Sequence, residues 1–470
     1  MTTSVTSRRV HRRSIRATPP VTPQQRLADG VVAAIMCVIA LTVCLFGIGN
    51  ATKISVLDEY THIDYVWQIQ HGSIPAKGDV ISEEVLHDVV CRERGPIPYD
   101  AKLQCGSAFA ADPNNFGRTK GVNYNEFHPP LYYGFAAGIA AVIAPIAGVD
   151  FITSVRLASA LLVSVGIGAF YLAIRSWRIR RLAAIAGTTM LIATPAVMYA
   201  GMIVTNDAVN VLAGAGTSWL LGQVFVHKRF PIWQAAVIMA LVAGSKAIAT
   251  VPLIALGVLL GFWGLVKCGQ HRLRQGMRSI AMATSMAAVL GAVTYTWSKF
   301  QADRGNPLAV NPVVGVNTKP FSGTPVDEFL GNMFVMFNAG RGIENWLPHE
   351  IHGWGLSFTG ALTQLLISAA PFVGLVLFKR RDPALAATGV LIIGFFFAPV
   401  IVQVQALLST GMVFPVVSPR YAMSLVPLAG LVWALVLDRR KAERWVAPLL
   451  LLCVGLLLGT LARCEPFIRL

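Results

Sequence analysis

Residues 28–50 read ADGVVAAIMCVIALTVCLFGIGN, an apolar block with one charged residue, Asp29. A helix of about 20 such residues crosses roughly 30 Å of hydrocarbon, so the block predicts a membrane-spanning helix. Similar apolar blocks recur along the chain. The candidate spans are residues 28–50, 131–149, 152–174, 183–203, 208–226, 232–246, 247–266, 279–298, 356–378, 384–403, 421–437 and 445–462.

The composition excludes an ordinary soluble protein. Hydrophobic residues make up 55% of the chain and charged residues 13%, with a mean hydropathy of +0.60. The net charge of +16 would suit nucleic-acid binding in a soluble chain. Here, however, Lys and Arg lie mainly in short links between apolar blocks, and no nucleic-acid recognition motif accompanies them. We therefore expect an all-α polytopic membrane protein and no nucleic-acid partner.

The amino-terminal segment has a different composition. Residues 1–26 carry six arginines among Ser, Thr and Pro, and they cannot bury enough apolar surface to fold. We predict a disordered basic cytoplasmic tail over residues 1–27, followed by a single transmembrane domain over residues 28–470. An Arg- and Ser-rich start also fits an organellar transit peptide, but residues 28–50 are too long for a signal-peptide core.

The basic links constrain the topology. They are residues 175–181, 227–229, 267–278, 379–381 and 439–444. The positive-inside rule places all of them in the cytoplasm with the tail, but two full crossings between residues 131 and 174 would put residues 175–181 outside. We infer that 131–149 enters and leaves on one side, or that another span is miscounted. The prediction is about eleven crossings, within a range of roughly 10–12.

Two long polar segments, residues 51–128 and 299–355, face the non-cytoplasmic side in this topology. The first is predicted to bear juxtamembrane helices, and it holds 11 of the 23 acidic residues against seven Lys and Arg. The positive-inside rule alone leaves acids in excess there, but carboxylates crowded against a helix end are costly unless they are used. Cys91 and Cys105 share this segment and predict a disulfide. Metal binding is less favoured, because neither cysteine belongs to a close Cys or His pair of zinc-site spacing.

Two motifs flank the first polar segment. Residues 57–65 read LDEYTHIDY, and residues 126–133 read EFHPPLYY. Together they resemble the GT-C superfamily of membrane glycosyltransferases, in particular protein O-mannosyltransferases, lipid A aminoarabinose transferases and their bacterial relatives. Further similarities extend over most of the chain, in Thr205-Asn206-Asp207-Ala208, Gly244-Ser245-Lys246 and Ser418-Pro419-Arg420-Tyr421.

The resemblance implies an inverting glycosyltransferase in a bacterial inner membrane, with its active site facing outside. The donor would be a polyprenyl-phosphate sugar held in membrane lipid, the acceptor a glycan, lipid or protein, and no cofactor is expected. Because no compact Asp-x-Asp metal motif appears in the first polar segment, we also predict no obligatory metal. Inverting transfer requires a carboxylate to take a proton from the acceptor hydroxyl. It also requires cations that stabilise the departing lipid phosphate.

The resemblance assigns catalysis to Asp58 and Glu59. We expect Asp58 to be the base, since it matches the leading Asp of the family, and we expect partial desolvation to raise its pKa. A carboxylate pair at a helix end can also be merely solvated or capping. Asp64 is the weaker candidate, because it lies six residues after Asp58 and a solvent-facing position is the simpler expectation.

Substrate binding is assigned to His128, Asp207, Lys246, Arg341 and Arg420. The simpler alternatives are a turn-forming role for the histidine, helix capping for Asp207 and snorkelling for Lys246. Arg341 could bind the donor or the acceptor, or be an ordinary loop residue. Lys246 and Arg420 are the candidates for binding the donor phosphate, because both flank outer ends of apolar spans.

The chain also departs from the family. Only eight residues follow residue 462, so we expect the chain to lack the large soluble outer domain of some members and the two outer loops to recognise the acceptor. A polytopic transporter or lipid flippase is the main alternative, although no internal repeat of spans supports it. A non-enzymatic membrane scaffold is a second alternative. An enzyme predicts one outward cavity, open sideways to lipid, where Asp58, Lys246 and Arg420 converge.

Overall fold

The computed structural model describes residues 22–50, 53–55, 58–92, 105–106, 112–116, 119–309, 318–321, 326–340 and 354–463. These residues fold almost wholly into helices. The helices are α1 (Pro23–Asn50), α2 (Glu59–Gln70), α3 (Glu83–Cys91), α4 (Leu131–Ala147), α5 (Phe151–Ser176), α6 (Arg181–Ile192), α7 (Pro195–Tyr199), α8 (Asn210–Leu221), α9 (Ile232–Ser245), α10 (Val251–Gly269), α11 (Leu273–Arg304), α12 (Asn332–Val335), α13 (Trp354–Leu377), α14 (Pro383–Thr410), α15 (Val426–Arg440) and α16 (Glu443–Arg463). Two short antiparallel strands, β1 (Lys319–Pro320) and β2 (Met412–Val413), pair with each other.

The helices confirm the all-α polytopic membrane class. Within the described ranges, nine helices are long and apolar enough to cross a membrane. Three shorter apolar helices accompany them: Leu131–Ala147, Arg181–Ile192 and Ile232–Ser245. The count of about eleven crossings stays a prediction. The predicted juxtamembrane helices are α2 and α3, and α1 begins at Pro23, so the helix starts inside the predicted tail.

The basic links lie together at one end of the bundle, which we call the basic end. Arg181 Nε lies 2.7 Å from Asp29 Oδ1 of α1, and Arg180 Nε lies 3.0 Å from Asp438 Oδ1 at the end of α15. The link at residues 227–229 lies at the same end, because His227 Nε2 lies 2.7 Å from the carbonyl oxygen of the last residue of α5. The opposite end, which carries Asp58 and Arg420, is called the site end.

Helix α4 has both of its ends at the site end. It begins just after His128, whose carbonyl accepts a hydrogen bond from the Tyr65 hydroxyl of α2 at 3.0 Å. Just beyond its last turn, Asp150 forms an ion pair with Arg92, which follows α3. The Asp150 side chain also caps α5 by accepting from the Thr153 backbone N–H at 3.0 Å. Both ends of α4 therefore lie at the site end, which agrees with the first of the two alternatives given for residues 131–149.

One predicted span is interrupted. Residues 183–203 were expected to form a continuous helix, but α6 stops at Ile192 and the short α7 starts at Pro195. The ring of Pro195 disfavours helical backbone at Thr194, which adopts φ −85° and ψ 110°. A further break at Thr205, with φ −158°, precedes Asp207 at the site end. Non-helical backbone within a membrane-spanning bundle is tolerated where protein encloses it or where it lines a cavity.

Candidate active site

Asp58 and Arg420 form an ion pair at the site end. Arg420 Nη2 donates to Asp58 Oδ2 at 3.0 Å, and the Tyr124 hydroxyl donates to Asp58 Oδ1 at 2.9 Å. The Asp58 side chain keeps 28% of its surface exposed and Arg420 keeps 16%, so a substrate can reach both. Asp58 has a positive φ of 59°, a left-handed backbone conformation that Asp adopts more readily than most residues.

The direction of the Asp58 pKa differs from the expectation. Burial alone would raise the pKa of Asp58, but the charge of Arg420 and its hydrogen bond lower it below the ordinary value. The expectation of a raised pKa is therefore wrong. That expectation included only desolvation at the helix end. It left out Arg420, which lies 362 residues from Asp58 in the sequence.

Glu59 is adjacent to Asp58 but has a different environment. The side chain is fully buried, and its carboxylate receives two hydrogen bonds from Arg156, from Nε at 2.7 Å and from Nη2 at 2.8 Å. The backbone N–H groups of Ser55 and Val204 donate to the same carboxylate at 2.6 and 2.9 Å. This arrangement ties α2 to α5 and to the segment before Asp207. Burial places Glu59 away from an incoming acceptor, unlike Asp58.

A second ion pair lies beside the first. Lys246 adopts an extended backbone, with φ −159°, where α9 ends, and its Nζ donates to Asp207 Oδ1 at 2.7 Å. The two side chains are only 4% and 7% exposed, so Lys246 does not snorkel to the interface. Asp207 and Arg420 line one small cavity with Thr205. We call Asp58, Arg420, Asp207 and Lys246 the charged cluster.

His128 belongs to an aromatic group beside the charged cluster. Its ring stacks near His62 with centroids 6.1 Å apart, and His62 Nδ1 lies 2.8 Å from the Tyr133 hydroxyl. Burial lowers the pKa of His62 to about 3, and burial together with the charge of Lys246 holds the pKa of His128 well below its usual range. Both imidazoles are thus neutral near pH 7, and they can make hydrogen bonds without adding charge.

An open apolar groove of about 1080 Å³ adjoins the His-Pro-Pro turn. Its lining includes Pro129, Pro130, Gly244, Trp297 and Phe300. Pro129 directly follows His128, and Gly244 lies two residues before Lys246. The groove lies between α4 and α11 beside the sequence neighbours of His128 and Lys246, and the residues of the charged cluster are not among its lining.

Three residues of this site were not singled out from the sequence. Arg156 lies within the apolar block 152–174, and a charged residue inside a span is a signal that could have identified it. His62 lies within the LDEYTHIDY motif, but neither it nor Tyr124 carries a sequence signal of its own.

Arg341 lies outside the described residues.

Cys91 and Cys105 form the predicted disulfide. Among the described side chains, these two cysteines and His87 form the one group of His, Cys, Asp or Glu with ligand atoms close enough to hold a metal. The disulfide occupies both sulfurs.

No protein-family model and no curated protein matches the chain. Among solved structures, the chain is similar to ArnT from Cupriavidus metallidurans in the apo state, with a TM-score of 0.46 and 17% identity. That match covers 89% of this chain and 62% of ArnT. For ArnT bound to undecaprenyl phosphate the TM-score is 0.41 and the identity 16%, over 93% of this chain and 74% of that one.

The chain is also similar to the archaeal oligosaccharyltransferase AglB from Archaeoglobus fulgidus, in complex with an inhibitory peptide and a dolichol-phosphate. The TM-score is 0.44 and the identity 12%, over 95% of this chain and 57% of AglB. ArnT and AglB are GT-C membrane glycosyltransferases, the superfamily that the sequence motifs resemble. The function proposed for this chain rests on the residues of its own site.

Proposed function

We propose that this chain is an inverting glycosyltransferase that moves a sugar from a polyprenyl-phosphate donor to an acceptor on the non-cytoplasmic face. The observation that carries the proposal is the reachable Asp58–Arg420 pair, a carboxylate and a cation held 3.0 Å apart, and an apolar groove lies on the same side of the bundle. Transfer from a lipid phosphate needs both a base and a cation, and it needs apolar surface for the isoprenoid chain.

In the proposed step, Asp58 takes the proton from the acceptor hydroxyl as its oxygen attacks the anomeric carbon. The bond between that carbon and the phosphate oxygen breaks, and the polyprenyl phosphate leaves with the electron pair. Arg420 donates hydrogen bonds to the phosphate as its negative charge grows. Attack from the face opposite the phosphate inverts the anomeric configuration.

Donor binding would also activate the base. Without substrate, Arg420 lowers the pKa of Asp58 and holds one of its oxygens. A phosphate beside Arg420 competes for the same guanidinium and offsets its positive charge. Asp58 then loses a hydrogen bond and becomes more basic, so proton abstraction follows donor binding. This order protects the activated sugar from premature attack by water.

The other charged residues hold this geometry. Lys246 is positioned by Asp207 and adds positive charge beside Arg420, so we assign it a share of phosphate binding. Glu59 positions Asp58, because the buried pair with Arg156 fixes the first residue of α2. His128, with His62 beside it, shapes the adjoining acceptor side, and Arg341 is retained as a candidate contact to donor or acceptor.

The test is transfer by the purified chain from a panel of labelled polyprenyl-phosphate sugars, which also identifies the sugar. The expected result is labelled product and free polyprenyl phosphate for at least one donor, with loss of product in Asp58→Asn. A flippase would bind the donor and leave the sugar–phosphate bond intact. Binding without cleavage for every donor and acceptor class offered would therefore favour a transporter.

A further inference from the structure

The basic end of the bundle has an uneven distribution of charge. From residue 208 to residue 302 the chain contains no Asp or Glu, although it contains eight Lys and Arg. Two of the eight, Lys246 and Lys299, pair with the flanking acids Asp207 and Asp303. The remaining six lie in the two links at the basic end and are called the basic patch. They are Lys228, Arg229, Lys267, Arg272, Arg274 and Arg278.

The rest of the basic end is different, because acids accompany its cations. Arg181 pairs with Asp29, and Arg439 hydrogen-bonds to Asp382. Within the described part of the chain, no residue of the basic patch takes part in an ion pair. The positive-inside rule explains cations over the whole end, but it does not explain why acids are confined to one part of it.

Aromatic rings bring the two links of the basic patch together. The Trp263 ring of α10 lies 5.6 Å from Phe225 and 6.2 Å from Phe230, which flank the other link. Lys267 Nζ lies 5.5 Å from the centre of the Trp263 ring, and Lys228 Nζ donates to the Phe225 carbonyl at 2.6 Å. Lys228 and Lys267, one from each link, therefore lie beside one group of aromatic rings.

Exposed apolar side chains extend from this group of aromatic rings along the neighbouring helices. Phe262 of α10 is 68% exposed and Trp233 of α9 is 67% exposed. Exposed rings next to clustered cations at a membrane boundary match both parts of a phospholipid, a charged headgroup and apolar chains. A small soluble anion would have no use for the exposed rings.

We propose that the basic patch binds the headgroup of an anionic phospholipid, whose acyl chains lie along the exposed faces of α9 and α10. The phosphate contacts cations from both links, so the lipid joins the α8–α9 connection to the α10–α11 connection. The site lies at the opposite end of the bundle from the charged cluster, and it does not depend on the proposed transfer reaction.

The test measures binding of phosphatidylglycerol and phosphatidylcholine to the full chain by native mass spectrometry. The patch variant is Lys228→Gln/Lys267→Gln/Arg272→Gln. The matched control is Lys379→Gln/Arg380→Gln/Arg381→Gln, which removes three charges from the part of the same end that contains acids. Each cation near a membrane surface contributes about fivefold in affinity for anionic lipid. The patch variant should therefore bind phosphatidylglycerol about a hundredfold more weakly.

The expected pattern is preference for phosphatidylglycerol in the parent chain and the control, and loss of that preference in the patch variant. Unchanged binding in the patch variant, or an equal loss in the control, overturns the proposal. If glycerol phosphate competes as strongly as the lipid does, the site binds a free phosphate, and this result also overturns the proposal. If the triple variant fails to fold, Lys267→Gln alone should weaken binding about fivefold, and an unchanged affinity contradicts the proposal.

Discussion

Asp58 and Glu59 are neighbours in sequence, and the structure predicts opposite effects when each loses its charge. Asp58→Asn and Glu59→Gln are isosteric amide changes, so each is the matched control for the other. Asp58→Asn should remove turnover and spare the fold. Glu59→Gln should mainly lower the stability of the fold.

The magnitudes follow from the partners. Glu59→Gln leaves Arg156, only 1% exposed, without its countercharge, and breaking such a buried pair costs about 3–5 kcal/mol. Asp58 pairs with Arg420 at a partly exposed position, where an ion pair contributes about 1 kcal/mol or less. Loss of a general base lowers the rate by about a hundred- to ten-thousandfold.

The assay compares thermal unfolding in detergent, binding of a polyprenyl-phosphate sugar and transfer, for the parent and both variants. Asp58→Asn should unfold close to the parent, bind the donor and fail to transfer. Glu59→Gln should unfold at a clearly lower temperature. Near-normal transfer by Asp58→Asn, or a Glu59→Gln variant as stable as the parent, would refute this reasoning.

Three further predictions concern Lys246, Glu126 and Arg178. Lys246→Met should lower stability by about 3–5 kcal/mol because it strands a buried carboxylate; adding Asp207→Leu should restore unfolding stability but not donor binding. Burial raises the pKa of Glu126 to about 7 from 4.5, so the native state binds the extra proton and stability falls as the pH rises between these values. Glu126→Gln should flatten that fall, by up to about 3 kcal/mol, in unfolding measured across this range. A cysteine that replaces Arg178 should not react with an impermeant reagent applied from outside, and strong labelling would contradict the predicted orientation.

Much of the fold could be predicted because the membrane imposes long apolar runs and segregates basic links. These two patterns offered a one-sided α4 as one of two solutions to the parity problem, the other being a miscounted span. The break at Lys246 was also predicted, because a lysine between two apolar blocks suits a helix end. The interruption of residues 183–203 was missed, since Thr194-Pro195 lies inside an otherwise uniform apolar block.

The site was predicted only in part. The motifs identified Asp58, Asp207, Lys246 and Arg420, and the structure brings their side chains into one cluster. The different environments of Asp58 and Glu59 depend on partners 362 and 97 residues away. Pairings at such separations leave no local pattern in a single sequence, and adjacent side chains point in different directions.

The central claim is that Arg420 recognises the phosphate of a lipid-linked sugar donor. The most direct measurement compares binding of a polyprenyl phosphate with binding of the matching polyprenol, in the parent chain and in Arg420→Ala. A charge-assisted hydrogen bond contributes about 1.5–3 kcal/mol, so the parent should prefer the phosphate by at least about tenfold. Arg420→Ala should lose most of this preference. Equal binding of phosphate and alcohol by the parent, or an undiminished preference in Arg420→Ala, would contradict the claim.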